Sequence, residues 1–398
     1  MVHISVITTA TSTAVSIAVS LASALTLVSA HPNIHLASSS SSGHGPHALE
    51  KRAPAAGPSC STTYTPVAAG QYPAIDCVPF IQDPQVQTWL KLVDFSKTPV
   101  FPPSQKGVCP TDKTTIPQDQ CWWTCQKCDA PDDITSCPAT GTWGLTFDDG
   151  PSPDSPRLYD NLLQHNQKAT LFIVGSRAIS FPATLKRAYN EGHQIAIHTW
   201  SHPSMTSLTN EQIVAELKWT EKAIFDTIGV TPIYWRPPFG DVDARVRNIA
   251  TQLGLKTSIW TQDFDTNDWN IPAGVATPQS VVDTFKGWLT KIPSMPHGFI
   301  VLEHDLFPEE VNVSINGVLP VAYATKGLLM QPIAQCLNDG KPYREGAGTF
   351  KLLPGGGGSG LNGTSTDNKN SATGLGGVLA GQAVLVASAL TCLVSFAM

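Results

Sequence analysis

Charge is scarce in this chain. Only 14% of its 398 residues are charged, and 25 Lys+Arg against 31 Asp+Glu leave a formal net charge of −6. It therefore lacks the basic excess with which nucleic-acid and polybasic membrane-surface proteins neutralise phosphates. Gly and Pro, at 31 and 32 residues, fall well short of a low-complexity composition. With 41% hydrophobic residues a packed core is expected, and the length suits two or three domains. Charge is missing altogether from two terminal stretches, Val6 to Val28 and Val378 to Met398.

Those two stretches organise the ends. The first closes on Val28-Ser29-Ala30, small residues at signal-peptidase spacing, so residues 1–30 read as a secretion signal rather than a spanning helix. A Ser/His-rich stretch follows and ends at the dibasic pair Lys51-Arg52, which makes 31–52 a propeptide and starts the mature chain near Ala53. At the other end, residues 344–371 form a Gly/Ser/Thr/Asn linker, and 372–398 read as a GPI-attachment signal that is removed. A spanning anchor would carry basic residues behind its apolar run, and this one has none. Attachment is expected at Asn370-Ser371-Ala372, or earlier, near Asn362 to Ser365. The expectation is a secreted chain held at the cell surface, or in the wall, through a membrane-inserted GPI anchor.

What the chain has in quantity is cysteine, nine in all. Removal of Cys392 with the tail leaves Cys60, Cys77, Cys109, Cys121, Cys125, Cys128, Cys137 and Cys336, an even set suited to an oxidising compartment and up to four disulfides. The spacing Cys121-x-x-x-Cys125-x-x-Cys128 also allows a metal cluster, although thiolate sites belong mostly to reducing compartments. The pairing does not follow from the sequence. Asn312-Val-Ser314 and Asn362-Gly-Thr364 are glycosylation acceptors, expected on exposed segments.

From about Gly141, short apolar runs alternate with segments of helical period. The runs are Trp143 to Phe147, Ala169 to Val174, Gln194 to Ile197, Ile233 to Arg236, Thr257 to Trp260 and Gly298 to Leu302. Thr209 to Gly229 predicts a helix, with a Thr209/Gln212 capping box and a Gly229 stop. Asp241 to Leu253 and Pro278 to Leu289 predict two more. Such alternation means parallel strands with helices outside, doubly wound or closed as a barrel. Residues 53–140 are strand-poor and cysteine-rich and read as a stapled extension packed on the α/β domain of residues 141–343.

Five polar clusters fall at the expected strand ends, where α/β folds carry function. Thr146-Phe-Asp148-Asp149-Gly150 sets two carboxylates at a turn, where both can face one cavity. His198-Thr-Trp-Ser-His202 spaces two imidazoles as on one side of a helical turn; with Asp149 they make the two-imidazole, one-carboxylate set of a catalytic zinc. Arg236-Pro-Pro-Phe239-Gly240 supplies a cation that can neutralise and orient a carboxylate. Asp263-Phe-Asp265-Thr-Asn-Asp268-Trp269 combines acids with a loop tryptophan, as a sugar groove with a proton-relay partner would. Val301-Leu302-Glu-His304-Asp305 ends the last long strand. Each cluster alone has an ordinary reading, as a solvated turn, a surface histidine pair or a satisfied buried residue; the coincidence of five is what signifies.

In this order the clusters resemble the polysaccharide deacetylases of carbohydrate esterase family 4, the NodB-homology domain. Its patterns T-F-D-D-G, H-[ST]-x-x-H, R-x-P-[FY]-G, D-x-x-D-W and [IVL]-L-x-H-D are met over roughly residues 141–340. With the secretion signal, disulfides and tail, the resemblance extends to the GPI-anchored chitin deacetylases of fungi. It implies a distorted (β/α) barrel of seven or eight strands with the disulfide-rich N-terminal extension, and one divalent metal, zinc or else cobalt. It implies hydrolysis of N-acetyl groups from N-acetylglucosamine residues of chitin, partly acetylated chitosan or chito-oligosaccharides by a monomeric enzyme with no nucleic-acid partner. Asp149, His198 and His202 would bind the metal, Asp148 would be the base and His304 the acid. Arg236 would hold Asp148, Asp268 would position His304, and Trp269 and Leu302 would wall the acetyl pocket. Phe239 stands where the family often has Tyr; a backbone N–H serving the oxyanion survives that change, but a phenol contact does not.

Three rivals account for less. An iron-dependent oxygenase shares the two-His, one-carboxylate set but uses neither the Asp148/Arg236 pair nor His304. A paired-carboxylate glycosidase would shorten chains without releasing acetate. A silent wall-binding protein would bind insoluble chitin and release none.

Overall fold

The computed structural model describes residues 60–351. The expected secretion signal, the propeptide, most of the linker, the sequon at Asn362 and the GPI-attachment signal lie outside the described residues. Among the described residues no helix is long and apolar enough to cross a membrane.

Among the described residues, eight parallel strands form the frame: β1 (Thr142–Gly144), β2 (Thr146–Asp148), β3 (Thr170–Ile173), β4 (Gln194–Ile197), β5 (Tyr234–Trp235), β6 (Lys256–Thr257), β7 (Phe299–Ile300) and β8 (Leu329–Gln331). Nearly all their residues are buried, as expected of parallel strands covered on both faces. The helices are α1 (Pro84–Leu90), α2 (Trp123–Gln126), α3 (Ser155–Gln164), α4 (Gly175–Ser180), α5 (Pro182–Asn190), α6 (Asn210–Ile228), α7 (Ala244–Gln252), α8 (Pro278–Leu289), α9 (Pro308–Val313), α10 (Leu319–Ala324) and α11 (Ile333–Cys336).

The strands form two ladders, β2-β3-β4-β5-β6 and β7-β1-β8. Single bridges, Asp148 opposite His304 and Asp265 opposite Leu302, join them. Asp148 N–H donates to the Glu303 carbonyl at 2.9 Å, and Thr261 N–H to the Ile300 carbonyl at 3.0 Å. The result is a distorted barrel whose regular pairing does not close. One apolar cluster fills it, including fully buried Trp143, Phe147, Phe172, Trp235 and Trp260.

Two predicted helices hold closely. Thr209 caps α6 with the full Gln212 capping box, and Gly229 ends it at φ +76°; α8 spans Pro278–Leu289. The third is shorter than predicted: α7 starts at Ala244, because Asp243, not Asp241, caps it through the Val246 N–H. The Asp241 carboxylate is taken up elsewhere, by Trp122 and Thr206.

Residues 60–140 contain helices and turns but no strand. Three disulfides staple them internally, Cys60–Cys77, Cys109–Cys125 and Cys121–Cys128, and Cys137–Cys336 fastens them to α11. The metal-cluster reading of Cys121, Cys125 and Cys128 is therefore overturned. Arg247 on α7 adds a polar clamp, donating to Asp133 and to the carbonyls of Cys121 and Cys128. Of the Asn312 sequon, Asn312 is exposed and accepts from Arg157, whereas Ser314 is buried.

Candidate active site

The first strand pair ends at Asp148, and the chain turns at Asp149, which takes φ +78°. That left-handed residue breaks strand alternation, so adjacent carboxylates reach the same region. Asp149 Oδ1 lies 3.3 Å from His198 Nε2 and 3.1 Å from His202 Nε2. One donor atom from each of the three residues fits within 4.8 Å of the others.

The two histidines do not sit on a helical turn. They flank a loop in which Thr199 (φ +65°) and His202 (φ +58°) are left-handed. The i, i+4 spacing brings the imidazoles together, with ring centroids 4.9 Å apart, by this double reversal instead. His198 Nδ1 lies 2.8 Å from the Arg236 carbonyl, which can only accept. Nδ1 therefore donates to that carbonyl while Nε2 points toward Asp149, the arrangement that orients a metal-ligating histidine. Two imidazole nitrogens and a carboxylate oxygen converging this closely suit a divalent cation with open coordination positions.

Asp148 is held separately. Arg236 Nη1 donates to its Oδ1 at 2.8 Å and to Thr146 Oγ1 at 2.9 Å, and its guanidinium lies 4.2 Å over the Phe172 ring. Arg236 is wholly buried, which lowers its pKa, with Asp148 opposing the shift. The Asp148 Oδ2 atom is 3.8 Å from His198 Nε2.

His304 stands opposite Asp148 across the bridge that joins the ladders. Its Nδ1 lies 2.6 Å from Asp268 Oδ1, and its backbone N–H donates to Asp268 Oδ2 at 2.8 Å. Asp268 thereby fixes both the ring and the backbone of His304. Leu302, two residues back on the same face, is buried opposite Asp265. Trp269 is half-buried, with its backbone N–H on Asp268 Oδ1. The Phe239 ring meets His202 edge-on at 4.5 Å, and its backbone is left-handed at φ +61°.

Sequence reasoning gave no role to three further carboxylates around the site. Asp305, the last residue of its motif, accepts from Ser155 Oγ at 2.6 Å, and its backbone N–H bonds the Asp148 carbonyl. Asp241 accepts from Trp122 Nε1 at 2.6 Å and from the Thr206 N–H and hydroxyl. Glu216 on α6 accepts from the loop between the histidines. Burial pushes Asp305 and Glu216 up to about 7 and Asp241 up to about 6, against the donors each accepts from. Glu303 is also buried and raised well above its ordinary value, chiefly by burial and then by Asp268.

At its strand ends the parallel α/β frame thus gathers a triad that could hold a metal ion, an aspartate–arginine pair and a histidine–aspartate pair. A polysaccharide deacetylase family profile matches residues 135–258. Chitin deacetylase 1 of Cryptococcus neoformans var. grubii is 47% identical over 275 residues, covering 67% of this chain and 58% of the relative. Chitin deacetylase 1 of Saccharomyces cerevisiae is 33% identical over 273 residues, covering 68% of this chain and 80% of the relative. The chain belongs to the polysaccharide deacetylase family. It spans 58%, 51% and 50% of three of the curated relatives it matches. A solved chitin deacetylase from Colletotrichum lindemuthianum shares 25% identity at a TM-score of 0.48, covering 53% of this chain and 95% of that one.

Proposed function

We propose that this chain hydrolyses the N-acetyl groups of N-acetylglucosamine residues in chitin, partly acetylated chitosan or chito-oligosaccharides, releasing acetate and leaving a free amine. The observation that carries the reading is the convergence of the Asp149, His198 and His202 donor atoms beside two independently held proton-transfer groups. Relatives named chitin deacetylases support the substrate class.

Asp149, His198 and His202 hold one divalent cation, zinc or else cobalt. When bound, such an ion polarises the amide carbonyl and makes water a stronger acid. Asp148, fixed by Arg236, takes the proton from the attacking water. The Phe239 N–H is the donor assigned to the developing oxyanion, where a fixed donor acts most strongly. His304, steadied by Asp268, gives a proton to the departing nitrogen, since an amine leaves poorly unless protonated. Trp269 and Leu302 wall the acetyl group.

The chain is read as a secreted glycoprotein of the cell surface and wall, carried there by the N-terminal signal and held by a GPI anchor. The enzyme acts as a monomer with no nucleic-acid partner. The test is acetate release from N-acetylglucosamine oligomers and from chitosans of graded acetylation, before and after chelation. Release that disappears with chelator and returns with zinc is expected. Chain shortening without acetate, or release indifferent to chelation, overturns the reading.

A further inference from the structure

We infer that Glu216, which holds the loop between the two histidines, is the positioning residue that sets the spacing of the two metal-binding imidazoles. The inference rests on the cation site proposed above and adds to it a group on the helical layer. His198 and His202 belong to a loop that bends back twice through left-handed residues, Thr199 and His202, neither of them glycine. Such backbone persists only where its surroundings over-determine it. Here the over-determination comes from α6. The Glu216 Oε2 atom accepts the backbone N–H groups of Trp200 at 2.7 Å and Ser201 at 2.8 Å, and Oε1 accepts the Ser201 hydroxyl at 2.5 Å. One carboxylate thus holds the two residues midway between the histidines.

Its own position is fixed. Glu216 is wholly buried, and its carbonyl accepts from Thr220 Oγ1 at 2.8 Å inside the capped helix. A buried carboxylate is costly unless its oxygens are satisfied, and here the donors are loop groups. Within the loop, His202 N–H donates to Thr199 Oγ1 at 3.1 Å, which completes the turn that Glu216 anchors. The chain of contacts runs from α6 through two peptide groups to both imidazoles. Supporting groups of this kind, beyond the ligands themselves, commonly govern metal affinity about 10–100-fold.

The test titrates cobalt(II) and zinc into chelator-stripped full-length protein, reading calorimetric affinity and the cobalt absorption spectrum. Wild type is compared with Glu216→Ala, Glu216→Asp, Glu216→Gln and Glu221→Ala. Glu216→Asp keeps the charge but retracts the carboxylate by one methylene, so its affinity should fall about 10–100-fold, with a changed cobalt spectrum. Glu216→Ala should fall at least as far. Glu216→Gln keeps an oxygen for the two N–H groups and should stay near wild type. Glu221→Ala removes a buried carboxylate of the same helix that pairs with Arg344. It should lower the melting temperature and leave the affinity unchanged.

If Glu216→Ala does not fold, the contrast between Asp and Gln decides. Wild-type affinity and spectrum in Glu216→Asp overturns the inference, as does an affinity that merely follows melting temperature across all variants. Absence of one-to-one binding by wild type would instead overturn the proposed cation site.

Discussion

The Trp122 indole N–H donates to Asp241 Oδ1 at 2.6 Å, while Oδ2 of the same carboxylate accepts the backbone N–H and hydroxyl of Thr206. A residue of the disulfide-stapled extension is thereby tied to the turn after Phe239 and to the segment after His202. The extension also packs Trp123 against Gly240 so tightly that a Cβ there would meet its ring at 2.7 Å. Residues 60–140 thus form one wall of the site's support.

Asp241 makes this tie pH-dependent. Burial raises its pKa from 3.8 to about 6, with Asp243 adding to the rise and the Thr206 and Trp122 donors opposing it; Arg245 is the nearby cation. The folded value lies above the unfolded one, so the folded state binds this proton more tightly. Its contribution to stability is full below about pH 4 and is lost as pH rises to about 6. Relative to Asp241→Asn, wild type should lose about 2–3 kcal/mol across that window and none above it. Parallel melting-versus-pH curves for the two proteins would refute the assignment.

His304→Ala and Asp268→Asn should retain the cation and lose turnover by roughly 10²–10⁴-fold, the usual worth of a positioned acid. Asp149→Ala and His198→Ala should lose the cation itself. Metal content after dialysis, set beside acetate release, separates the two groups. Equal metal loss in Asp148→Ala and His198→Ala would contradict the division of roles.

Removing Arg236 strands Asp148 in a buried place. Arg236→Leu should cost about 3–5 kcal/mol of stability, the penalty for breaking a buried ion pair from one side. Combining it with Asp148→Asn should return part of that cost, which denaturant titration of the two proteins would reveal. An additive double mutant would mean that the pair is not coupled.

Gly150 has no room for a side chain. A Cβ would run into both carboxylate oxygens of Asp305, which Ser155 holds at 2.6 Å. Gly150→Ala should therefore cost about 1–3 kcal/mol through overpacking. It should also weaken cation binding, because the displaced turn carries Asp149. Denaturant titration would show the first effect and calorimetric titration with zinc the second; an unchanged affinity would mean that the turn adapts.

What the sequence displayed was local. The Thr209/Gln212 box, the Gly229 stop and the α8 boundaries depend on neighbouring residues and were legible from them. The five clusters could be read because each ends an apolar run. The disulfide pairing could not, because Cys137 and Cys336 meet only through the folded barrel. The cap of α7 shifted from Asp241 to Asp243 because Trp122, 119 positions away, engages the first. Glu216 carries no sequence signal, since its partners lie on a loop whose reversed backbone no spacing rule announces. That same backbone is why the histidine pair, spaced as on a helical turn, meets without one.

The bond between Cys137 and Cys336 spans 199 positions and so closes most of the barrel into a covalent ring. Closing a loop of that length removes about 5 kcal/mol of freedom from the unfolded chain on the entropy model. It also changes what a protease can accomplish. A single cut in any surface loop between those cysteines opens the ring without releasing a fragment, so a nicked molecule keeps its two halves, and the ligands they carry, on one tether until the bond is reduced.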